Sequence, residues 1–160
     1  MTIEAGQNMP AGSFGIMTDA GPAELSTDEL FSGKKVVLFS VPGAFTPTCS
    51  LKHAPGFIES AAEFAARGVD AIACMAVNDV FVMAAWGKDQ GAGDDVLMLA
   101  DGNADYSKAL GLEMDASSFG MGTRGQRFAI VVDDGVATHV AVEAPGAFDV
   151  SSAQAVLDAL

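Results

Sequence analysis

The chain has 160 residues, 50% hydrophobic and 18% charged, with a formal net charge of −13. This length suits one domain over 1–160 with a single well-packed core, and the composition excludes disorder. No uninterrupted apolar stretch approaches the ~20 residues of a membrane span. A surface with this negative charge repels nucleic acid and anionic lipid. We therefore expect neither nucleic acid nor a membrane as a partner.

The first 33 residues are rich in glycine and proline and contain short apolar pieces. They predict a small β-hairpin or an extended cover, followed by a helical turn over 26–31 that Ser26 and Glu29 cap. The N-terminus lacks the basic and apolar segments of a secretory signal. We therefore expect a cytoplasmic location, unless a cleaved organelle leader has been removed.

The next segment, VVLFSVPGAFTPTC, joins a predicted buried strand over 35–40 to a loop punctuated by proline and glycine. The pattern then becomes helical, with a kink expected at Pro55 and an end at Gly68. Cys49 therefore falls in the first turn of a helix, where unpaired N–H groups and the positive end of the helix dipole favour a thiolate. The sequence predicts a reactive thiol at Cys49.

Strand and helix patterns alternate over the rest of the chain. The predicted elements are strands over 69–77, 96–100, 127–133 and 136–142, and helices over 79–90, 106–110 and 152–160, the last one capped by Ser151. Asp134-Gly135 predicts a two-residue hairpin turn. This order predicts an α/β domain with a mixed central sheet, helices on both faces and an N-terminal β extension, which is the plan of the thioredoxin fold.

The stretch 111–126 shows no periodicity and contains four glycines together with the apolar Phe119 and Met121. We predict an unstructured loop there that belongs to a functional site or an interface.

The other chemistry-bearing residues are few. Cys74 lies in an apolar run typical of a strand covered on both faces, which predicts a buried, inert thiol. There is no CxxC pair, and two isolated histidines predict no metal site. His53 follows Cys49 by four residues and is expected to cap or pack beside the bent helix, because no third group is evident to orient it as a base. A cysteine hydrolase is therefore disfavoured.

Arg124 and Arg127 are two of only three arginines and precede an apolar run. Two interpretations stay open for this pair. They either neutralise carboxylates on a solvated face or serve a site.

PGAFTPTC, with Pro42, Thr46 and Cys49, resembles the active-site signature of the peroxiredoxins. Four blocks are similar in order and spacing to the type-5 peroxiredoxins over residues 1 to 160: SVPGAFTPTCSLKHAPGF, ACMAVNDVFVMAAWGKD, LMLADGNADYSKALGLEMD and RFAIVVDDG. The resemblance implies a thiol-dependent peroxidase without a bound cofactor, in which Cys49 attacks hydrogen peroxide or a small alkyl hydroperoxide and becomes a sulfenic acid.

The resemblance also implies roles for the neighbouring residues. Thr46 and Arg127 would stabilise the breaking O–O bond, and Pro42 would shield the sulfur. The candidate substrate-binding residues are Gly43, whose N–H would cradle the peroxide with that of Cys49, Thr48 beside the sulfur, Arg124 as support, and Phe119.

Some type-5 peroxiredoxins carry a resolving cysteine near the C-terminus, where this chain has Ser151 and Ser152. We therefore expect a one-cysteine cycle, with Cys74 as the only internal alternative. Glutathione, with or without a glutaredoxin, or thioredoxin would reduce the sulfenic acid.

The family commonly forms homodimers, and the apolar residues of 111–126 and those around Phe81 and Trp86 are the candidate interface. The alternative function is that of a redox-sensing binding or holdase protein. Cys49 would then be a peroxide sensor, and the loop with Phe119 and Met121 a partner surface.

Overall fold

The computed structural model describes residues 1–160 and contains nine strands and six α-helices. The strands are β1 (Ser13–Thr18), β2 (Gly21–Ser26), β3 (Lys35–Ser40), β4 (Ala71–Ala76), β5 (Leu97–Ala100), β6 (Glu113–Asp115), β7 (Thr123–Gly125), β8 (Phe128–Asp133) and β9 (Val136–Val142). The α-helices are α1 (Thr27–Phe31), α2 (Ala54–Glu59), α3 (Ala61–Ala66), α4 (Val80–Gln90), α5 (Asp105–Leu110) and α6 (Ala153–Ala159). None of the helices is both long enough and apolar enough to cross a membrane.

Seven strands form one mixed sheet in the order β2-β1-β5-β4-β3-β8-β9, with β3, β4 and β5 parallel. Strand β8 runs antiparallel to β3, so that Ser40, the last residue of β3, pairs with Phe128, the first of β8. The loop that leaves β3 and the residues that enter β8 therefore meet at the same edge of the sheet. This pairing brings Pro42 and Arg127, 85 positions apart in the sequence, to one place.

The sheet has a hydrophobic core on each face. One core contains Cys49, Cys74 and side chains from α2, α3, α4 and α6, among them Phe57, Phe64 and Trp86. The other lies under α1 and α5. This confirms the predicted thioredoxin-like arrangement of a mixed sheet with helices on both faces.

The predicted N-terminal β extension is confirmed, since β1 and β2 form an antiparallel hairpin that extends the sheet beyond β5. Ser26 and Glu29 form the predicted capping box of α1. The Asp134-Gly135 turn between β8 and β9 is also confirmed. Both residues have positive φ angles, 47° and 80°, as this tight hairpin turn requires.

The prediction of an unstructured loop over 111–126 is wrong. Strands β6 and β7 pair there as a small antiparallel hairpin, joined by a 3₁₀ turn at Ser117–Phe119. Residues in these strands are mostly exposed or half-buried, so they show little of the apolar alternation that identifies a strand in a sequence.

The helix after Cys49 also differs from the prediction. Cys49–His53 form a π-helical turn in which the Ala54 N–H donates to the Cys49 carbonyl, and α2 follows. Pro55 lies in the first turn of α2, where a missing N–H costs little, and the helix is interrupted instead at Ser60, whose φ of −94° and ψ of 5° separate α2 from α3. Cys49 still lies in the first turn of the helical segment, which begins at Pro47.

The predicted cap of α6 is displaced by one residue. Ser152 accepts from the Ala155 N–H, whereas Ser151 is buried and donates its hydroxyl to Glu143. Ser152 therefore caps the helix, and Ser151 belongs to a buried hydrogen-bond network.

Candidate active site

Cys49 lies in the first helical turn after the loop that leaves β3 and is completely buried. Its backbone N–H donates to no acceptor in the protein, because the first turn of a helix has no preceding carbonyls for its amides, and the N–H of Gly43 in the preceding loop has no acceptor either. Next to it, the hydroxyl of Ser50 accepts a 3.0 Å hydrogen bond from the indole N–H of Trp86, the only tryptophan of the chain. The sulfur thus lies on a well-anchored turn whose own Cys49 N–H has no acceptor.

Thr46 contacts the sulfur directly. Its Oγ1 lies 2.8 Å from Cys49 Sγ and 2.7 Å from the Gly43 carbonyl oxygen. A hydroxyl has one proton, so it donates to Gly43 while the thiol is protonated and can turn to the sulfur once a thiolate forms. Thr46 therefore serves both protonation states of Cys49.

Arg127 contacts the other side of the sulfur. Its Nη2 lies 3.1 Å from Cys49 Sγ, and its Nη1 lies 2.9 Å from His53 Nδ1. Because the guanidinium is planar and permanently charged, fixing one nitrogen also fixes the direction of the other. His53 therefore positions the group that faces the sulfur.

His53 is completely buried and bridges two elements. Its Nε2 lies 2.9 Å from the Ser151 carbonyl oxygen, which can only accept, so Nε2 carries the proton and Nδ1 accepts from Arg127. Burial, and then the charge of Arg127, lower the pKa of His53 from 6.5 to about 3. His53 packs in the core as expected. The sequence did not predict its contact with Arg127. The only indication of a role at the site was that His53 follows Cys49 by four residues.

This burial predicts that the fold loses stability in acid. His53 has a pKa of about 6.5 in the unfolded chain and about 3 in the fold, so between these values the unfolded chain binds more protons. Lowering the pH from 7 to 4.5 should remove about 2.5 kcal/mol of unfolding free energy through this residue. Urea denaturation at both pH values measures the loss.

Two variants isolate the contribution of His53. His53→Gln should lose most of this pH dependence, whereas His139→Gln, which removes the half-buried histidine of β9, should keep it. Equal pH dependence in the two variants would assign the acid sensitivity to other groups.

Arg124 lies near the site but does not contact the sulfur. It donates from Nε to the Met121 carbonyl and from Nη1 to the Val77 carbonyl, at 2.9 and 3.1 Å. It thereby ties the segment before β7 to the end of β4, beside Gly43. Arg124 is placed as a support of the loop around the site.

Neither Arg124 nor Arg127 forms an ion pair with a carboxylate. The only ion pair in the structure joins Arg67 to Glu63. The interpretation that Arg124 and Arg127 neutralise carboxylates on a solvated face is therefore wrong.

A cavity of about 650 Å³ borders the site, with Arg127, Pro42 and Thr48 in its lining, while Cys49 itself lies behind them. Its lining includes four residues predicted from the sequence, namely Pro42, Thr48, Phe119 and Arg127. Phe119 is 81% exposed and lies at the rim, so it borders the entrance rather than the sulfur. The lining also includes Glu143, which the sequence did not single out.

Cys74 lies on β4 and is fully buried, and both cysteines are free. Burial, and then the nearby charge of Cys49, raise the pKa of the Cys74 thiol well above its usual value. Cys74 is therefore held as a neutral thiol. The structure contains no group of three or more His, Cys, Asp or Glu side chains that could hold a metal ion.

The surroundings of Cys49 suit nucleophilic chemistry. Two side-chain groups contact the sulfur and favour negative charge there, namely the Arg127 guanidinium and the Thr46 hydroxyl. A small electrophile that reaches the sulfur would meet a nucleophile and hydrogen-bond donors for a leaving oxygen together.

Comparisons of the sequence and of the structure with known proteins agree with one another. The Redoxin family model matches residues 4–157. The chain is 52% identical to peroxiredoxin-2E-2, chloroplastic, of Oryza sativa subsp. japonica, over 99% of this chain and 73% of the relative. The crystal structure of reduced Prx3 from Vibrio vulnificus in complex with hydrogen peroxide superposes with a TM-score of 0.95 at 52% identity, covering 99% of each chain. Peroxiredoxin 5 from Alvinella pompejana superposes with a TM-score of 0.86 at 34% identity, covering 97% of this chain and 96% of that one.

Proposed function

The chain belongs to the redoxin family and is a peroxiredoxin, a thiol peroxidase, and on this basis we propose that it reduces hydrogen peroxide and small alkyl hydroperoxides through Cys49. The observation that carries the proposal is the double contact of Cys49 Sγ with Thr46 Oγ1 and Arg127 Nη2. This geometry supports attack on a peroxide, because the same donors that favour the thiolate are placed beside the oxygen that leaves.

The first half-reaction is a displacement at oxygen. The Cys49 thiolate attacks one oxygen of R–O–O–H, the S–O bond forms and the O–O bond breaks, and the leaving alkoxide or hydroxide takes up a proton. The products are a sulfenic acid on Cys49 and an alcohol or water. The thiol is oxidised and the peroxide is reduced, so no other oxidant or cofactor is needed.

Thiolate formation alone does not account for catalysis. An ordinary cysteine is already a few per cent thiolate at pH 7, so complete ionisation gains only about 30-fold. The larger gain comes from groups that bind the separating oxygens more strongly than the intact peroxide. Arg127 and Thr46 are placed for this, and the free N–H groups of Gly43 and Cys49 complete the set.

The second half-reaction is proposed to use an external thiol in a one-cysteine cycle. Ser151 and Ser152 occupy the region where some type-5 peroxiredoxins carry a resolving cysteine, and Cys74 is buried within the central sheet. Both thiols are fully buried among packed side chains, and Cys74 is fixed within β4, so a disulfide between them would require this packing to rearrange. Glutathione, with or without a glutaredoxin, or thioredoxin is the proposed reductant.

The assignment to the type-5-like subgroup is part of the same proposal. The four sequence blocks around Cys49, α4, α5 and β8 support it, as does the similarity to peroxiredoxin 5 of Alvinella pompejana. Peroxide consumption with glutathione/glutaredoxin and with thioredoxin, measured in parallel, tests the function and identifies the reductant. Mass spectrometry of Cys49 after peroxide should show one added oxygen. A single oxidation without turnover in either system would favour the redox-sensing alternative and contradict the proposal.

A homodimer is proposed on the strength of exposed apolar side chains. Phe45, Leu51 and Phe81 are 53%, 75% and 64% exposed, whereas Trp86 is buried and cannot contribute to a contact surface. Exposed apolar side chains of this size favour association. Light scattering should give twice the 16.3 kDa of one chain at micromolar concentration, and the monomer mass would contradict the proposal.

A further inference from the structure

Glu143 is a buried residue whose carboxylate takes no part in the oxidation of Cys49 by peroxide. It is 8% exposed and lines the same cavity as Arg127, whose guanidinium contacts Cys49. Its Oε2 accepts from the backbone N–H of Asp149, from the backbone N–H of Ser151 and from the hydroxyl of Ser151, at 2.7 to 2.8 Å. The Val150 backbone N–H also favours the ionised carboxylate, but no donor of the protein makes a hydrogen bond of good geometry to Oε1. One fixed carboxylate oxygen is therefore free beside the cavity.

The position of Glu143 relative to the sulfur is set by the sheet. Its N–H donates to the Arg127 carbonyl at 3.0 Å, so the two residues are backbone neighbours. Arg127 extends to Cys49, while Glu143 extends to the segment before α6. The two charged groups form no ion pair, so the Glu143 carboxylate is not neutralised by Arg127 and remains available to a molecule in the cavity.

The charge of the cavity selects among possible occupants. Its charged lining residues are Arg127, Glu143 and Asp115, two carboxylates against one guanidinium. Hydrogen bonds to the Glu143 carboxylate, which outweigh its burial, lower the pKa of this group, so it is ionised at neutral pH. An ionised carboxylate oxygen that is neither fully buried nor hydrogen-bonded favours a ligand that brings a cationic donor.

We propose that Glu143 Oε1 binds the ammonium group of the reducing thiol, so that the cavity selects a small peptide thiol with a free amino group. The proposal rests on the proposed function, since it concerns the reduction of the Cys49 sulfenic acid. The thiol R–SH attacks Cys49–S–OH, an S–S bond forms, the S–O bond breaks and water leaves. A second thiol then releases R–S–S–R and regenerates Cys49. A volume of about 650 Å³ is ample for a small-molecule thiol.

The test compares glutathione with glutaryl-cysteinylglycine, which has the same thiol and both carboxylates but lacks the amino group. Peroxide-oxidised protein is mixed with each thiol, and quench-flow with mass spectrometry follows formation of the mixed disulfide on Cys49. We expect glutathione to react about tenfold faster, the effect of one charge-assisted hydrogen bond. Glu143→Gln should reduce the ratio of the two rates to about one.

Two controls separate local binding from general charge. Glu24→Gln removes the same charge from an exposed position on β2 and should keep the tenfold ratio. Ser151→Ala removes one hydrogen bond to Glu143 without changing charge and should keep most of the ratio. A ratio near one in the wild type, or an unchanged ratio in Glu143→Gln, would overturn the proposal.

A structural measurement applies even if Glu143→Gln does not fold. A crystal structure of the wild-type mixed disulfide with glutathione should place the ammonium nitrogen within hydrogen-bond distance of Glu143 Oε1, and any other position overturns the inference. Failure of peroxide to oxidise Cys49 would instead contradict the proposed function. The two failures are therefore distinguishable.

Discussion

Cys49→Ser is expected to abolish peroxide consumption, whereas Cys74→Ala should leave turnover with an external thiol close to the wild-type rate. A serine hydroxyl is not ionised at neutral pH and has no thiolate chemistry, so the variant loses the nucleophile while Thr46 and Arg127 remain. Cys74 is buried on β4 and its raised pKa keeps it neutral, so it has no role in a one-cysteine cycle. Steady-state peroxide consumption with glutathione/glutaredoxin and with thioredoxin measures both variants.

The two variants also test the cycle itself. If Cys74→Ala oxidises normally but fails to turn over with either reductant, Cys74 is a resolving cysteine and the one-cysteine cycle is wrong. Mass spectrometry of the oxidised wild type gives an independent check. A one-cysteine cycle leaves an added oxygen on Cys49, whereas an internal disulfide removes two hydrogens from the chain.

Arg127→Ala is expected to slow the oxidation of Cys49 by hydrogen peroxide by about 10³-fold, the upper range for removing one donor that faces developing negative charge. The side chain provides the cation at 3.1 Å from the sulfur, and its loss also leaves His53 Nδ1 without its donor. Arg127→Lys should retain part of the rate. A lysine keeps the charge but cannot reproduce the planar pair of N–H groups that reaches Cys49 and His53 together.

Arg67→Ala is the matched control for this experiment. Arg67 donates to the Leu157 carbonyl and pairs with Glu63 on the surface, so its loss removes an equal charge away from the sulfur. Its rate of oxidation in stopped-flow measurements should equal that of the wild type. A loss of less than tenfold in Arg127→Ala would mean that Thr46 and the backbone amides stabilise the transition state without the guanidinium.

The central part of the site could be predicted because its signals are local in the sequence. Cys49 lies beside Thr46 because a strand, a proline-containing loop and the beginning of a helix follow one another within 15 residues. This local arrangement does not depend on the rest of the fold. Predicting that Arg127 reaches the site requires long-range information, because its position depends on β8 pairing antiparallel to β3. The resemblance to a known family supplied that long-range information, which the pattern of apolar residues does not contain.

The supporting residues could not be predicted for the same reason. The contacts from His53 to Ser151 and from Ser151 to Glu143 join positions up to 98 apart, and none of these residue types implies the others. The π-helical turn differs from an α-helix by one residue in hydrogen-bond spacing, which side-chain periodicity over five residues does not resolve. The β6–β7 hairpin is mostly exposed or half-buried, so it lacks the apolar alternation that identifies a strand.

The hydrogen bond between the Trp86 indole and Ser50 gives the protein a built-in optical reporter. The chain has a single tryptophan, and its ring is fully buried with its N–H fixed one residue from the reacting sulfur. Indole emission depends on the polarity and hydrogen bonding around the ring. Fluorescence from the unlabelled protein can therefore time both the oxidation of Cys49 and its return to the thiol within one mixing experiment.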